Sequence, residues 1–113
     1  MVVRDLSFKI NDRKFELKVR ECKSFLSKAS GLMFRKKSIP LLFIFDSRNR
    51  SAIHSLFCVP FIAIWFDGDE IVDVKLIDYI GFFIKPSRRF DKLLEVPLNN
   101  GDFDEIVDEI RKL

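Results

Sequence analysis

The sequence predicts an α+β domain with a small, mainly antiparallel, curved or barrel-like β-sheet, a short internal helix and a C-terminal helix. Three observations predict it. Near the start of the chain, apolar and charged residues alternate on both sides of a short polar turn, which is typical of an antiparallel hairpin with one wet face. Short apolar runs separated by turn residues follow, and the final residues carry apolar side chains at helical spacing.

The length and composition favour one globular domain. At 113 residues the chain has the size of a single compact unit, so we interpret residues 1–113 as one domain. Hydrophobic residues make up 48% of it, which is enough apolar surface to offset the entropy cost of ordering the backbone and argues against disorder. Thirteen residues are phenylalanine, and we expect most of these rings in the core because they bury a large area without a polar group.

The first element is the hairpin. Asn11-Asp12 provides the polar turn between the two alternating strands. The apolar positions that we expect to face the core are Leu6, Phe8, Ile10, Phe15, Leu17 and Val19. A short helix is predicted next, capped by Ser24 and ended by Gly31 in the left-handed region.

The middle of the chain predicts buried strands. Leu41–Phe45 is a short apolar run, and the polar segment Asp46–Arg50 after it is interpreted as a turn. Residues 51–66 are almost wholly apolar and predict two strands or one bent strand, with Pro60 at a break or an edge. Asp67–Glu70 is predicted to be a hairpin turn, and Ile71–Ile77 the strand that pairs back.

The last third of the chain predicts a mobile loop over Asp78–Phe90, a short strand over Leu93–Val96 and a C-terminal helix capped by Asp102. Acidic residues near the start of this helix and basic residues near its end complement the helix dipole. Its predicted apolar stripe consists of Phe103, Ile106, Val107, Ile110 and Leu113.

Four of these runs together resemble the DUF192 family, an uncharacterised conserved domain. Gly31–Arg35 matches the family's "GLMFR" run, and Leu41–Phe45 is similar to its "GMLFVF" strand. Pro60–Asp67 resembles its proline strand and turn, and Leu94–Pro97 its "LELPAG" segment, so the resemblance covers residues 14–101. It implies a compact, mostly antiparallel β fold with small helices and no particular activity.

The departures from the family pattern remove polar groups. Where the family commonly has "W-M-K-N-T" before the proline strand, this chain has Ile53, His54, Ser55, Leu56 and Phe57. The aspartate two residues after the proline is replaced by Ile62. His54 and Ser55 are the polar candidates left in this region.

Arg35, Lys36 and His54 are the candidate ligand-binding residues. The guanidinium of Arg35 can bind a carboxylate or phosphate through two parallel hydrogen bonds, or it can pair with an internal acid or a helix carbonyl. His54 is the only histidine, and it can act as a general base near neutral pH or serve as a hydrogen-bonded core residue.

Metal, cofactor and nucleophile signals are absent from the sequence. His54 and Cys58 are four residues apart, which in a strand separates them by about 13 Å, far beyond the reach of one zinc ion. The four glycines are isolated, so no phosphate-binding loop is predicted, and no G-x-S-x-G run is present. We therefore expect no metal, no cofactor and no catalytic residue that can be named from sequence.

The charge of the chain is uneven. Residues 1–60 carry 13 basic and 5 acidic side chains, a net charge of +8, whereas residues 61–113 carry 7 and 12, a net charge of −5. The fold either separates these halves into a basic and an acidic surface or interleaves them so that they pair. Basic residues that could contact phosphates include Arg13, Lys14, Lys18, Arg20, Arg48 and Arg50; alternatively, strand lysines keep a sheet edge soluble and unpaired.

These features favour a non-enzymatic, cytoplasmic binding or interaction module with a basic surface. Its partner is an anionic ligand, another protein or a second copy of the chain, and not a membrane, because no secretory signal and no long apolar span are seen. Two alternatives stay open: a small enzyme with a pocket around His54 and Arg35, and a weak, non-specific nucleic-acid binder.

Overall fold

The computed structural model describes residues 2–22, 39–50, 60–78, 84–98 and 103–113. Within them, six strands form one sheet and one helix lies at the C-terminal end. The elements are β1 (Val3–Ile10), β2 (Arg13–Cys22), β3 (Leu41–Asn49), β4 (Phe61–Asp67), β5 (Glu70–Ile77), β6 (Phe90–Pro97) and α1 (Asp104–Arg111). The short helix predicted between Ser24 and Gly31 lies outside the described residues.

The sheet has the strand order β1-β2-β3-β6-β4-β5 and is mixed. The pair β2–β3 is parallel, and the other four neighbouring pairs are antiparallel. The predicted β-rich fold with a C-terminal helix is confirmed at this level. The last strand of the chain, β6, lies between β3 and β4, so it is paired on both sides at the centre of the sheet.

The predicted first hairpin is confirmed residue by residue. Phe8 lies opposite Phe15, and Ile10 lies opposite Arg13, which leaves Asn11 and Asp12 as a two-residue turn. Asn11 and Asp12 both have positive φ, at 53° and 64°. Two successive left-handed residues form the turn whose twist matches that of the flanking strands.

The sheet curls into a half-barrel. The rings of Phe8 on β1 and Phe66 on β4 are 6.1 Å apart, although three strands lie between β1 and β4 in the sheet. In a flat sheet, four strand spacings would separate them by about 19 Å. The curl therefore gives the sheet a concave face, on which the two rings meet, and a convex face.

The concave face holds the first of two apolar clusters, and α1 covers it. The buried members of this cluster are Phe8, Ile10, Phe15, Val19, Leu42, Ile62, Ile64, Phe66, Leu94, Val96 and Ile106. The helix α1 contacts both edge strands, β1 and β5, and so lies over the open side of the half-barrel. It is eight residues long and highly charged, and no described segment forms a helix that could cross a membrane.

The predicted helix stripe is largely confirmed. Phe103, Ile106, Val107 and Ile110 pack against the concave cluster. Leu113 was predicted to join them but is 71% exposed, because the helix has already ended at Arg111. The predicted cap is also wrong: the position before the first helical residue is Phe103, and no side chain caps the helix there.

The convex face holds the second cluster, so the central strands are buried on both sides. Its buried members are Cys22, Leu41, Phe43, Phe61, Ala63, Trp65, Ile77, Ile84, Phe90 and Leu93. Burial on both faces explains why β4 is an unbroken apolar run and not an alternating one.

Two strands are longer than predicted. β3 continues through the polar segment Asp46–Asn49, which was predicted to be a turn, because an irregularity after Ile44 lets Asn49 pair with Phe90. β6 accordingly begins at Phe90, which was placed at the end of a mobile loop. The described part of that loop is held by hydrogen bonds to Asp73, Lys75 and Arg50.

Candidate functional site

Arg35, Lys36 and His54 lie outside the described residues. The hypothesis that Arg35 and His54 share a pocket therefore stays a prediction.

Three of the basic residues named above contact other parts of the protein. Arg13 forms an ion pair with Glu105 at 2.9 Å, and Arg48 forms one with Asp67 at 2.7 Å. The Nε–H of Arg50 donates to the carbonyl oxygen of Pro86 at 2.8 Å. Arg13 and Arg48 belong to the basic half of the chain and their partners to the acidic half. Among the described residues, two cations of the basic half of the chain therefore pair with two acids of the acidic half.

The contacts of Arg13 belong to a junction between the hairpin turn and α1. The Nδ2 of Asn11 donates to the carbonyl oxygen of Glu109 at 2.9 Å and to its Oε2 at 3.3 Å. Hydrogen bonds from Asn11 and Lys112, with the positive charges of Lys112 and Arg13, lower the pKa of Glu109. The guanidinium of Arg13 also lies 5.2 Å from the centre of the Phe15 ring. These contacts position α1, so we assign Arg13 a structural role.

The lysines of the hairpin are different, because they lie on its outer face. Phe8 and Phe15 form an opposite pair on the concave face, so the next pair, Lys9 and Lys14, lies on the convex face. Lys18 lies on this same face, since it is four residues from Lys14 along β2. All three side chains are exposed, and none forms an ion pair with a described residue. We call Lys9, Lys14 and Lys18 the lysine face.

The lysine face is compact and positively charged. Lys9 and Lys14 are directly opposite each other, an arrangement in which two like charges repel. Lys18 is about 13 Å from Lys14 along the strand. Two acids, Asp5 and Glu16, share the face, and Arg20 adds a fourth cation beyond Lys18, which leaves a formal charge of +2. Asp5 lies opposite Lys18, whereas Lys9 and Lys14 lie opposite each other. The arrangement can therefore attract an anionic group near the turn, beside Lys9 and Lys14.

Sequence reasoning named Lys14 and Lys18 but missed Lys9. The signal that would have found it is the period-two alternation that predicted the hairpin. A two-residue turn at Asn11-Asp12 places Lys9 opposite Lys14, as Ile10 is placed opposite Arg13.

Comparisons with known proteins show the fold and no family. No protein-family model matches this chain, and no curated protein matches its sequence. A protein of unknown function from Novosphingobium aromaticivorans DSM 12444 has a similar structure, with a TM-score of 0.76 and 14% identity, over 93% of this chain and 79% of that one. A proposed transcription regulator from Sinorhizobium meliloti 1021 is similar with a TM-score of 0.75 and 17% identity, over 93% of this chain and 85% of that one.

Proposed function

We propose that the protein is a non-enzymatic binding module and that its lysine face binds an anionic partner. The observation that carries the proposal is the contrast among the basic side chains of the hairpin. Arg4 and Arg13 form ion pairs with Glu21 and Glu105, whereas Lys9, Lys14 and Lys18 are exposed together and form no ion pair with a described residue, although Asp5 lies opposite Lys18. A partner's anions would take the place of small counterions around these ammonium groups.

The name of one structural neighbour does not identify the partner. That neighbour is a proposed transcription regulator, but at 17% identity it shares the fold alone. The lysine face offers point charges on flexible stems, and no aromatic ring is exposed among the described residues. It therefore suits phosphate or carboxylate groups in general more than a particular base sequence.

Replacing the lysine face should weaken the binding of a polyanion. The test uses a short DNA duplex as a polyanion of known charge density and measures its affinity for the chain across a range of salt concentrations. The plot of the logarithm of the binding constant against the logarithm of the salt concentration has a negative slope. In the triple variant Lys9→Gln, Lys14→Gln, Lys18→Gln, this slope should become less steep by roughly 2 to 3, because each phosphate contact contributes about 0.9 to its magnitude.

A matched control separates the face from the total charge. Lys85, Arg89 and Arg111 are exposed basic residues elsewhere on the surface, and changing all three to Gln lowers the net charge by the same amount. This control variant should keep the wild-type slope within about one unit. Equal losses in both variants would contradict a localised site and leave only non-specific attraction.

We also propose that the chain is related to the DUF192 family. Three of the four resembling runs lie in the described residues, within β3, β4 and β6. These strands are neighbours at the centre of the sheet, in the order β3-β6-β4, which supports the proposal because a shared core would retain adjacent strands. We also infer a cytoplasmic location, because two cysteines, Cys22 and Cys58, do not make a disulfide framework for a chain of this size.

A further inference from the structure

We propose that the convex face of the sheet holds a buried binding site, formed by the carboxyl group of Glu95 and the indole N–H of Trp65, for a small apolar molecule that carries a carbonyl oxygen. This site is separate from the lysine face and does not depend on it.

Glu95 is an acid in a place where an apolar residue would be expected. It lies in β6, at the centre of the sheet, with Leu41 on one side and Ala63 on the other. Only 7% of Glu95 is exposed. Among the described residues, none donates a hydrogen bond to its carboxyl group or forms an ion pair with it. A buried carboxyl group without a described partner costs free energy, and a bound molecule would offset that cost.

Trp65 supplies a second buried polar group without a partner. Its side chain is fully buried, and its Nε1–H has no hydrogen-bond acceptor. Trp65 lies opposite Leu93, and Ala63 lies opposite Glu95, so Trp65 and Glu95 are diagonal neighbours on the same face of adjacent strands. Diagonal neighbours lie about 7–8 Å apart, with their Cβ atoms somewhat closer, so one small molecule can contact both side chains.

The surroundings of the pair are apolar. Ala63 has the smallest side chain in the convex cluster, and it lies between Phe61 and Trp65 on β4, directly across from Glu95. Glu95 is therefore paired with the small methyl side chain of Ala63, whereas the residues on either side of Ala63 on this face of β4 carry aromatic rings. A molecule over Ala63 would lie among the apolar side chains of the convex cluster, next to Glu95 on β6 and Trp65 on β4.

The chemistry of the two groups selects the ligand class. Burial raises the pKa of Glu95 to about 8, so at neutral pH its carboxyl group keeps a proton that it can donate. The indole N–H is also a donor and never an acceptor. Two neutral donors in an apolar site suit a carbonyl oxygen, which has two lone pairs to accept both hydrogen bonds. A protonated acid and a second donor are used together in this way in some oxyanion holes.

One carboxylate lies on the same face beside Trp65: Asp73 is directly opposite it on β5, and its oxygens accept hydrogen bonds from the backbone N–H groups of Val74 and Ser87. Two basic groups lie further away from Glu95. Arg20 and Lys75 share the row of Glu95 across the sheet, but each lies two strands from β6, a separation of about 10 Å. The Nζ of Lys75 donates to the carbonyl oxygen of Lys85 at 2.7 Å, which directs it away from Glu95. The site is therefore suited to an uncharged ligand.

The test uses Trp65 as a reporter, since it is the only tryptophan of the chain. The indole ¹H–¹⁵N resonance is followed while acetophenone is added to the full chain, and again with ethylbenzene, which has nearly the same shape and no carbonyl group. We expect a saturable shift with acetophenone, and about tenfold weaker binding of ethylbenzene, because two donors would then be left unsatisfied.

Two variants at Glu95 and one elsewhere complete the experiment. Glu95→Leu is expected to fold, since its surroundings are apolar, and should remove the preference for acetophenone. Glu95→Gln keeps an N–H donor and should retain the preference, and Glu109→Gln, at the helix, should leave it unchanged. Equal affinities for the two probes, or no saturable shift with either, would overturn the proposal. It would also be overturned if a long-lived water remained on the indole N–H in the presence of acetophenone, because water would then be the occupant.

Discussion

Glu95 and Glu109 are both buried acids, and their surroundings shift their pKa values in opposite directions. Burial without a described partner raises the pKa of Glu95, whereas hydrogen bonds from Asn11 and Lys112 lower that of Glu109. Sequence reasoning noticed neither acid. A glutamate in a run such as Leu94–Pro97 looks like the wet face of a strand, and its burial follows only from the position of β6 between β3 and β4.

The protein should lose stability as the pH rises from about 4.5 to about 8, because Glu95 must give up its proton in the folded core. Its pKa is raised on folding, from 4.5 to about 8, so in this window the folded state binds more protons than the unfolded state. The free energy of unfolding should fall by an amount on the order of 5 kcal/mol across the window. Urea unfolding at a series of pH values measures it.

The two glutamates allow a paired control. In Glu95→Gln the loss of stability between mildly acidic and alkaline pH should largely disappear. In Glu109→Gln the loss of stability toward alkaline pH should remain. The wild type should also lose stability at acid pH, because the lowered pKa of Glu109 means that its protonation opposes folding, and Glu109→Gln should lack this second loss. An unchanged pH profile in Glu95→Gln would show that Glu95 is not the group responsible.

At the scale of elements, the sequence predicts best what is local. The first hairpin and its turn follow from alternation within about twenty residues, and the structure confirms them. The limits of β3 and β6 could not be predicted in this way. The strand pairing of Asp46–Asn49 depends on Phe90, some forty residues away, and the turn-like composition of that segment gives no sign of it. The parallel pairing of β2 with β3 is likewise set by the whole sheet.

The first turn offers a test of how a local element is fixed to the rest of the molecule. Asn11 and Asp12 both have positive φ, which glycine adopts without strain. Asp12→Gly relieves this strain, but glycine also loses more backbone entropy on folding, so the variant should stay within about 1 kcal/mol of the wild type. Asn11→Gly gains the same relief but loses the hydrogen bonds to Glu109, worth about 0.5–1.5 kcal/mol, so it should be the less stable of the two variants. Thermal unfolding of both variants measures the difference, and equal stabilities would mean that Asn11 does not hold α1.

At the scale of the whole molecule, two described cations of the basic half of the chain pair with acids of the acidic half. Arg13 pairs with Glu105 across the gap between the hairpin and the helix, and Arg48 pairs with Asp67 between strands. Sequence could state the two outcomes but could not choose between them, because the choice depends on which strands become neighbours. Among the described residues of the basic half, Lys9, Lys14 and Lys18 lie outside these pairs.

The curl of the sheet is the global feature on which the concave core depends, and the contact between Phe8 and Phe66 reports it directly. The two rings belong to β1 and β4, which are not hydrogen-bonded neighbours and come close only because the sheet bends. The interaction energy between the rings should therefore vanish if the sheet were flat. A double-mutant cycle with Phe8→Leu and Phe66→Leu should give a coupling of about 0.5–1.5 kcal/mol in the free energy of unfolding. A second cycle, which combines Phe8→Leu with Phe90→Leu, is the control, because Phe90 lies in the convex cluster against Trp65. Its two effects should add, and additivity in the first cycle as well would contradict the half-barrel.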